Sequence, residues 1–259
     1  EMYRCLASGT EADMVAIRIA RTYTGKQRIV KVGGAYHGWS DQLVYSLHIP
    51  YTKTFEAHGI PKEVSENTSE FFPGDVAGLR KVLEENEKAG GTAAVIIEPF
   101  GPESGTRPVA KDFAAKVREL CDEFHTLLIF DEVVTAFRVG PGGAQGYFNV
   151  KPDLTVFGKI VAGGYPMAGG VGGSEEIMSC IAAGVKAGKK KAYVGGTLTA
   201  NPLSCAAGYF AIDEIIRQDA AMKAGENGDK LCDGIQKLID KYELPFVTWN
   251  TGSIVHFEV

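Results

Sequence analysis

The sequence has no cysteine pair at ligand spacing, no basic surplus and no apolar run long enough to span a membrane. Each absence removes a class of protein. Its five cysteines, Cys5, Cys121, Cys180, Cys205 and Cys232, stand singly and are odd in number. Neither a disulfide framework nor a zinc site is expected of them, and a reducing, cytoplasmic setting fits. Each reads as a small apolar core residue. The formal net charge is −5 and the isoelectric point is near 5.6, so nothing indicates the basic face that nucleic acid demands. The longest hydrophobic stretches fall short of the ~20 residues of a transmembrane helix, and no secretory signal is visible. His48, His58, His125 and His256 show no metal-ligand spacing, and no metal is expected.

What is present is a globular composition. Of 259 residues, 45% are hydrophobic and 23% charged, with 32 glycines, enough for a large core in one big domain or two unequal ones. Strand-like and helix-like stretches alternate, which argues for an α/β fold. Ser8-Gly-Thr-Glu-Ala12 opens a helix whose Ala12, Val15, Ala16, Ile19 and Ala20 recur at helical spacing, with Gly25 to end it. Strands are expected at 28–32, 93–98, 126–130 and 154–157, and helices at 75–88, 111–124, 202–216 and 219–242. Residues 168–173 read as a glycine-rich strand where another backbone packs close. Residues 45–73, weakly periodic, read as a long excursion, and 186–191 as a solvated basic loop. Two strands, at 246–248 and 254–257, follow the last helix.

Two residues carry the chemistry. Lys159 follows an apolar run and a glycine, and Gly163-Gly164-Tyr165-Pro166 comes after it. A lysine near apolar residues at a strand end can lose its charge by desolvation and attack an aldehyde. A lone lysine is more often surface charge, but surface charge seldom needs so much special backbone. Asp131 closes the run Leu127-Leu-Ile-Phe-Asp131, at the strand end where open α/β sheets place ligands. Facing a pyridine nitrogen, it would keep that nitrogen protonated and make the ring an electron sink. A nucleotide-site reading of Asp131-Glu132 needs a G-x-x-x-x-G-K-[S/T] loop, and none exists. The pair together suits pyridoxal phosphate (PLP).

Other stretches are weaker alone. Ser8, Gly9 and Thr10 at a helix start offer N–H groups and hydroxyls to a phosphate, although such residues are most often plain caps. Tyr36 follows a strand and a glycine pair and can stack on a flat ring. Beside it His37 is a core histidine or a site residue. Glu98 and Glu103 sit on a Gly/Pro-rich loop after a buried strand and can line a pocket. Gly196-Thr197 precedes a helix and offers another anion contact.

In combination, Phe130-Asp-Glu-Val-Val-Thr-Ala-Phe-Arg138, Gly142-Gly-Ala-Gln-Gly-Tyr-Phe148, Pro152-Asp-Leu154 and Gly158-Lys159 resemble the PLP-dependent class III aminotransferases. Ser8–Ala12, Tyr36-His-Gly38 and Gly196-Thr197 stand in that family's order, so the resemblance runs over nearly the whole chain. Within the family the sequence looks most like glutamate-1-semialdehyde 2,1-aminomutase and its relatives. The resemblance implies a fold type I large domain, with a mostly parallel sheet and helices on both faces. It further implies a large domain over 1–245 and, at 246–259, the start of a smaller C-terminal domain. The chain would then be a fragment lacking an N-terminal segment and most of that second domain.

By position, Lys159 would form the Schiff base and Asp131 would pair with the ring nitrogen. Ser8, Gly9 and Thr10 would bind the phosphate, and Tyr36 would stack on the ring with His37 beside it. Val133 would pack on the other face, and Glu98 would lie near cofactor and substrate. Thr197 would reach the phosphate of a neighbouring subunit's cofactor in a homodimer. Two positions depart from the pattern: Ala136 stands where glycine is frequent, and Glu103 where the mutases carry an uncharged residue. In several transaminases that glutamate pairs with an arginine of the C-terminal domain. The expected activity is therefore amino-group transfer between an amine and a keto or aldehyde acceptor. The alternatives are the aminomutase and a non-catalytic homologue or inactive fragment.

Overall fold

The computed structural model describes residues 1–44, 46–48, 50–51, 58–181 and 190–259. Along the chain run β1 (Met2–Leu6), α1 (Gly9–Thr24), β2 (Arg28–Val32), β3 (Thr68–Phe71), α2 (Val76–Glu87), β4 (Thr92–Ile97) and α3 (Phe113–Glu123). They are followed by β5 (Leu127–Asp131), α4 (Gly143–Phe148), β6 (Leu154–Gly158), β7 (Gly169–Gly173), α5 (Pro202–Arg217), α6 (Ala220–Tyr242), β8 (Val247–Thr251) and β9 (Ile254–Glu258). Seven strands form one sheet in the order β1-β7-β6-β5-β4-β2-β3, and β8 and β9 form a separate hairpin. Strands β2 to β6 are mutually parallel, and β7 runs antiparallel between β1 and β6. The expected fold class is the one observed.

The central strands β4 and β5 are buried at every position, the mark of a parallel sheet covered on both faces. Successive side chains point to opposite faces. Ile29, Ile96, Ile129 and Val156 join one core with Ala12, Val15, Ala16 and Ile19 of α1. Val30, Val95, Ile97, Leu128 and Phe130 join the other with Leu79 and Leu83 of α2 and Phe113 and Val117 of α3. Each buried Val, Leu, Ile or Phe among these contributes about 1.5–3 kcal/mol on burial.

Helix boundaries follow their caps. Ser8 accepts from the Glu11 N–H at the start of α1, and Gly25 ends it in the left-handed region at φ 72°. Asp75 accepts from the Gly78 N–H to start α2. The glycine-rich strand is β7, and close backbone approach explains it: a Cβ on Gly169 would stand 2.3 Å from the Ser8 carbonyl oxygen.

Two strands differ from the sequence expectation. β1 has no alternation to reveal it, and its partner β7 supplies the pairing. β3 lies inside the stretch read as a 45–73 excursion and pairs parallel with the edge of β2. Residues 45, 49 and 52–57 of that stretch lie outside the described residues, as do Lys186 and Lys189 of the basic loop. Among the described residues no helix is long and apolar enough to cross a membrane.

Candidate active site

The parallel strands end on one edge of the sheet, and each strand end delivers a polar side chain there. Glu98 follows β4, Asp131 closes β5, Lys159 follows β6, and Tyr36 and His37 follow β2. The start of α1 faces the same edge. A cavity of about 650 Å³ lies between them, lined among others by Ser8, Gly9, Thr10, Tyr36, Glu98, Asp131, Val133 and Lys159. Most residues expected from the sequence therefore converge on one pocket of ligand-binding size.

At the anion end, the Ser8 hydroxyl accepts from the Glu11 N–H at 3.3 Å, and Glu11 Oε2 accepts from the Ala7 N–H at 2.8 Å. Ser8 is thus a helix cap as well as a pocket residue. The first N–H groups of a helix have no intrahelical partner, so those of Gly9 and Thr10 are left for a ligand at the positive end of the helix dipole. The cradle is closely packed. A Cβ on Gly9 would lie 2.8 Å from a Val133 methyl, and one on Gly38, at φ 78°, would lie 2.4 Å from Thr10 Oγ1.

Asp131 is 5% exposed. Its Oδ1 accepts from the Val133 N–H at 3.0 Å, and its Oδ2 lies 2.8 Å from His37 Nδ1. Val133 is therefore fixed by the carboxylate whose ligand it would cover. His37 itself is fully buried and is absent from the cavity lining. It stands behind Asp131 and bonds to its Oδ2.

Lys159 has φ 48°, a left-handed conformation that costs a residue with a side chain about 1–3 kcal/mol and gathers at functional sites. Its side chain is accessible because the cavity is open, yet enough water is withheld to matter. Burial lowers its ammonium pKa, Arg138 pushes the same way, and Asp131, Glu98 and Asp13 oppose the shift. Such a lysine is a better nucleophile at neutral pH than a surface one.

Glu98 is held by four donors. Its Oε1 accepts from the N–H groups of Tyr36 (3.0 Å) and Glu103 (2.9 Å), and its Oε2 from the Ser104 N–H (2.7 Å) and hydroxyl (3.1 Å). Burial, with Asp131 nearby, raises its carboxyl pKa, while His37 and the N–H donors oppose the shift. Glu103 also lines the cavity, and Oε1 lies 2.5 Å from His48 Nδ1. Thr197 lies in an exposed turn and is not among the cavity lining. Glu132, the neighbour of Asp131, turns inward to accept from the Ala144 and Gln145 N–H groups and is structural.

Sequence reasoning missed Asp13, Arg138 and Ile254. Asp13 and Ile254 line the cavity, and Arg138 acts electrostatically on Lys159. For Asp13 a signal existed: it is four residues after Gly9, hence on the same side of α1, and it is an acid inside a buried helix.

An open, mostly parallel sheet thus gathers a lysine, a buried carboxylate and a helix start around one cavity at its carboxyl edge. The sequence matches the class-III aminotransferase family over residues 1–259, and the chain belongs to that family.

Three similar solved structures place it further. An omega-transaminase from Sphaerobacter thermophilus is 33% identical, with a TM-score of 0.87 over 100% of this chain and 59% of that one. A transaminase with PLP bound is 29% identical, TM-score 0.86, over 99% and 59%. A glutamate-1-semialdehyde aminomutase from Pseudomonas aeruginosa PAO1 is 26% identical, TM-score 0.81, over 99% and 57%. The expected special closeness to the aminomutase is therefore corrected: the omega-transaminase shares more of the sequence. The chain spans less than two thirds of the length of each of these three relatives.

Proposed function

We propose that this chain carries the cofactor site of a PLP-dependent transaminase, which moves an amino group from an amine to a keto or aldehyde acceptor. The single observation that supports it most is the convergence of Lys159, Asp131, Tyr36, Val133 and Ser8–Thr10 on one cavity. The residues fit the cofactor. The Gly9 cradle admits no Cβ without displacing Val133, its N–H groups suit a phosphate, and Asp131 is held as an acceptor by two donors.

When bound, PLP supplies an aldehyde that takes up an amine and a ring that accepts the electron pair of the adjacent carbon. Gly9 and Thr10 bind the phosphate. Asp131 would pair with the ring nitrogen and keep it protonated. Val133 and Tyr36 enclose the ring and exclude water. Lys159 Nζ would hold the cofactor's aldehyde end and, once freed by an incoming amine, would serve as the acid and base that moves the proton.

Incubation of the protein with PLP, an amine panel and a keto acid tests this, with borohydride trapping of the cofactor on Lys159 read by mass spectrometry. A Lys159→Ala protein that completes both half-reactions at the normal rate refutes it. Aminolevulinate formed from glutamate-1-semialdehyde, with no added donor, assigns the aminomutase instead.

Residues 1–245 are read as the large domain and 246–259 as the start of a second. The assembly is read as a homodimer, with Thr197 serving the neighbouring site. Exposed Leu203, Tyr209 and Phe210 on α5 support an interface there. Light scattering on the purified protein decides the dimer, and a monomer refutes it. Five singly spaced cysteines suit a reducing, cytoplasmic setting.

A further inference from the structure

Asp13 takes no part in the reading above. It lies on α1, one turn beyond the anion cradle, and is 1% exposed. It lines the cavity, and its Oδ1 has no hydrogen-bond partner. His37, with Nδ1 on Asp131, likewise has a buried Nε2 without a partner. One polar atom from each of Asp13, His37 and Asp131 lies within 4.8 Å of the other two. A buried, unpaired polar atom is costly, and two of them in one small cluster are most simply satisfied together.

The hydrogen bonds restrict how this happens. The Asp131 carboxylate accepts, so His37 Nδ1 carries a proton. His37 Nε2 is then either a bare lone pair that needs a donor or an N–H that needs an acceptor. A carboxylic acid satisfies the first and a carboxylate the second. We propose that Asp13 and His37 Nε2 share one proton through a single bridging water, so that Asp13 is a positioning residue acting through His37 on Asp131. Wherever the proton sits, Asp13, His37 and Asp131 together carry one negative charge. Asp131 thus remains ionised against the cofactor's ring nitrogen, a role that rests on the function proposed above.

The electrostatic surroundings favour a held proton. Burial pushes the Asp13 carboxyl well above its ordinary range, Asp131 on β5 and Glu98 after β4 add to the shift, and Lys159 after β6 opposes it. On its own helix Glu11 is engaged with the Ala7 N–H, and Arg138 acts through Lys159.

Nitrogen-15 NMR of the His37 ring and carbon-13 NMR of the Asp13 carboxyl, in protein without added cofactor, test the shared proton. In the wild type the His37 Nε2 and Asp13 carboxyl signals move at one common midpoint. In Asp13→Asn, which keeps the side-chain volume, that His37 transition disappears. Separate midpoints in the wild type, or an unchanged His37 transition in D13N, overturn the proposal. The wild-type coincidence needs no variant and stands if D13N folds poorly. In PLP-loaded protein, the midpoint pH of the visible band shifts in D13N by about one unit, a tenfold change in proton affinity, and an unmoved midpoint overturns the link to Asp131. Failure of the wild type to bind PLP refutes the transaminase reading and leaves the NMR result to decide the shared proton.

Discussion

Replacing Glu98 by alanine removes the acceptor for four donors. Two of these, the Ser104 N–H and hydroxyl, are in a buried contact, and two, from Tyr36 and Glu103, are partly buried. A buried donor left unsatisfied costs about 1–3 kcal/mol, so the Ser104 pair alone gives about 2–6 kcal/mol. Removing a buried carboxyl returns part of this, and water entering the vacated space returns more, leaving a net loss of about 2–4 kcal/mol. For a chain of this size 1 kcal/mol moves Tm by about 2–4 °C, so Glu98→Ala is expected to melt roughly 5–15 °C below the wild type.

The same carboxylate restrains Glu103 and Ser104 at φ 52° and 56°, conformations that cost about 1–3 kcal/mol each. With it gone, the segment 101–107 relaxes and becomes a site of proteolytic nicking. Differential scanning calorimetry and timed digestion with a glutamate-specific protease, which can cut after Glu103, read both effects. Glu98→Gln is expected to fall nearer to alanine than to wild type, because its amide N–H₂ confronts donors. A Glu98→Ala protein that melts within about 1 °C of wild type, with unchanged digestion, refutes the assignment of Glu98 as the anchor of this loop.

Three further outcomes are expected. As pH is raised, Lys159 is the first lysine modified by an amine-reactive reagent, because burial lowers its pKa; peptide mapping that shows uniform labelling refutes this. Gly38→Ala places a Cβ 2.4 Å from Thr10 Oγ1 at φ 78°. It is expected to lower stability by about 1–3 kcal/mol and to weaken inorganic phosphate binding, read by calorimetry. Asp13 binds its proton more tightly folded than unfolded, so the folded state holds the extra proton above the ordinary carboxylate range and stability falls as pH rises. Asp13→Asn removes this dependence. Its Tm gain over wild type is therefore greatest near pH 8 and shrinks toward pH 4, and a gain that grows on acidification refutes the sign.

Much of the fold was legible because its signals are local. Caps at Ser8 and Asp75, the stop at Gly25 and the apolar runs of β4, β5 and β6 all act within a few residues. β1 and β3 were not legible, since neither alternates nor carries a continuous apolar run. They are strands because β7 and β2 offer them hydrogen-bonding edges, which is tertiary information. The site divides in the same way. Lys159 and Asp131 announce themselves by position at strand ends. The role of His37 depends on where its ring turns once β2 and β5 are neighbours, and sequence places it only beside Tyr36. Asp13 was invisible as a partner, because α1, the loop after β2 and β5 converge on it only in three dimensions. Glu103 was correctly placed on the pocket, yet its partner His48 comes from a segment without periodicity.

The hairpin of β8 and β9 grips the loop that Glu98 anchors. Trp249 Nε1 donates to the Gly105 carbonyl at 3.1 Å, and His256 Nε2 lies 3.2 Å from the Ser104 carbonyl oxygen. Ile254, in the same hairpin, closes a cavity whose first lining residue is Ala7. During synthesis at about 5–20 residues per second, the ribosome therefore delivers the cradle long before the wall that seals it. Nascent chains can gather the sheet early, but the complete pocket waits for Ile254. Ligand binding in the pocket is then a measure of whether the hairpin has docked.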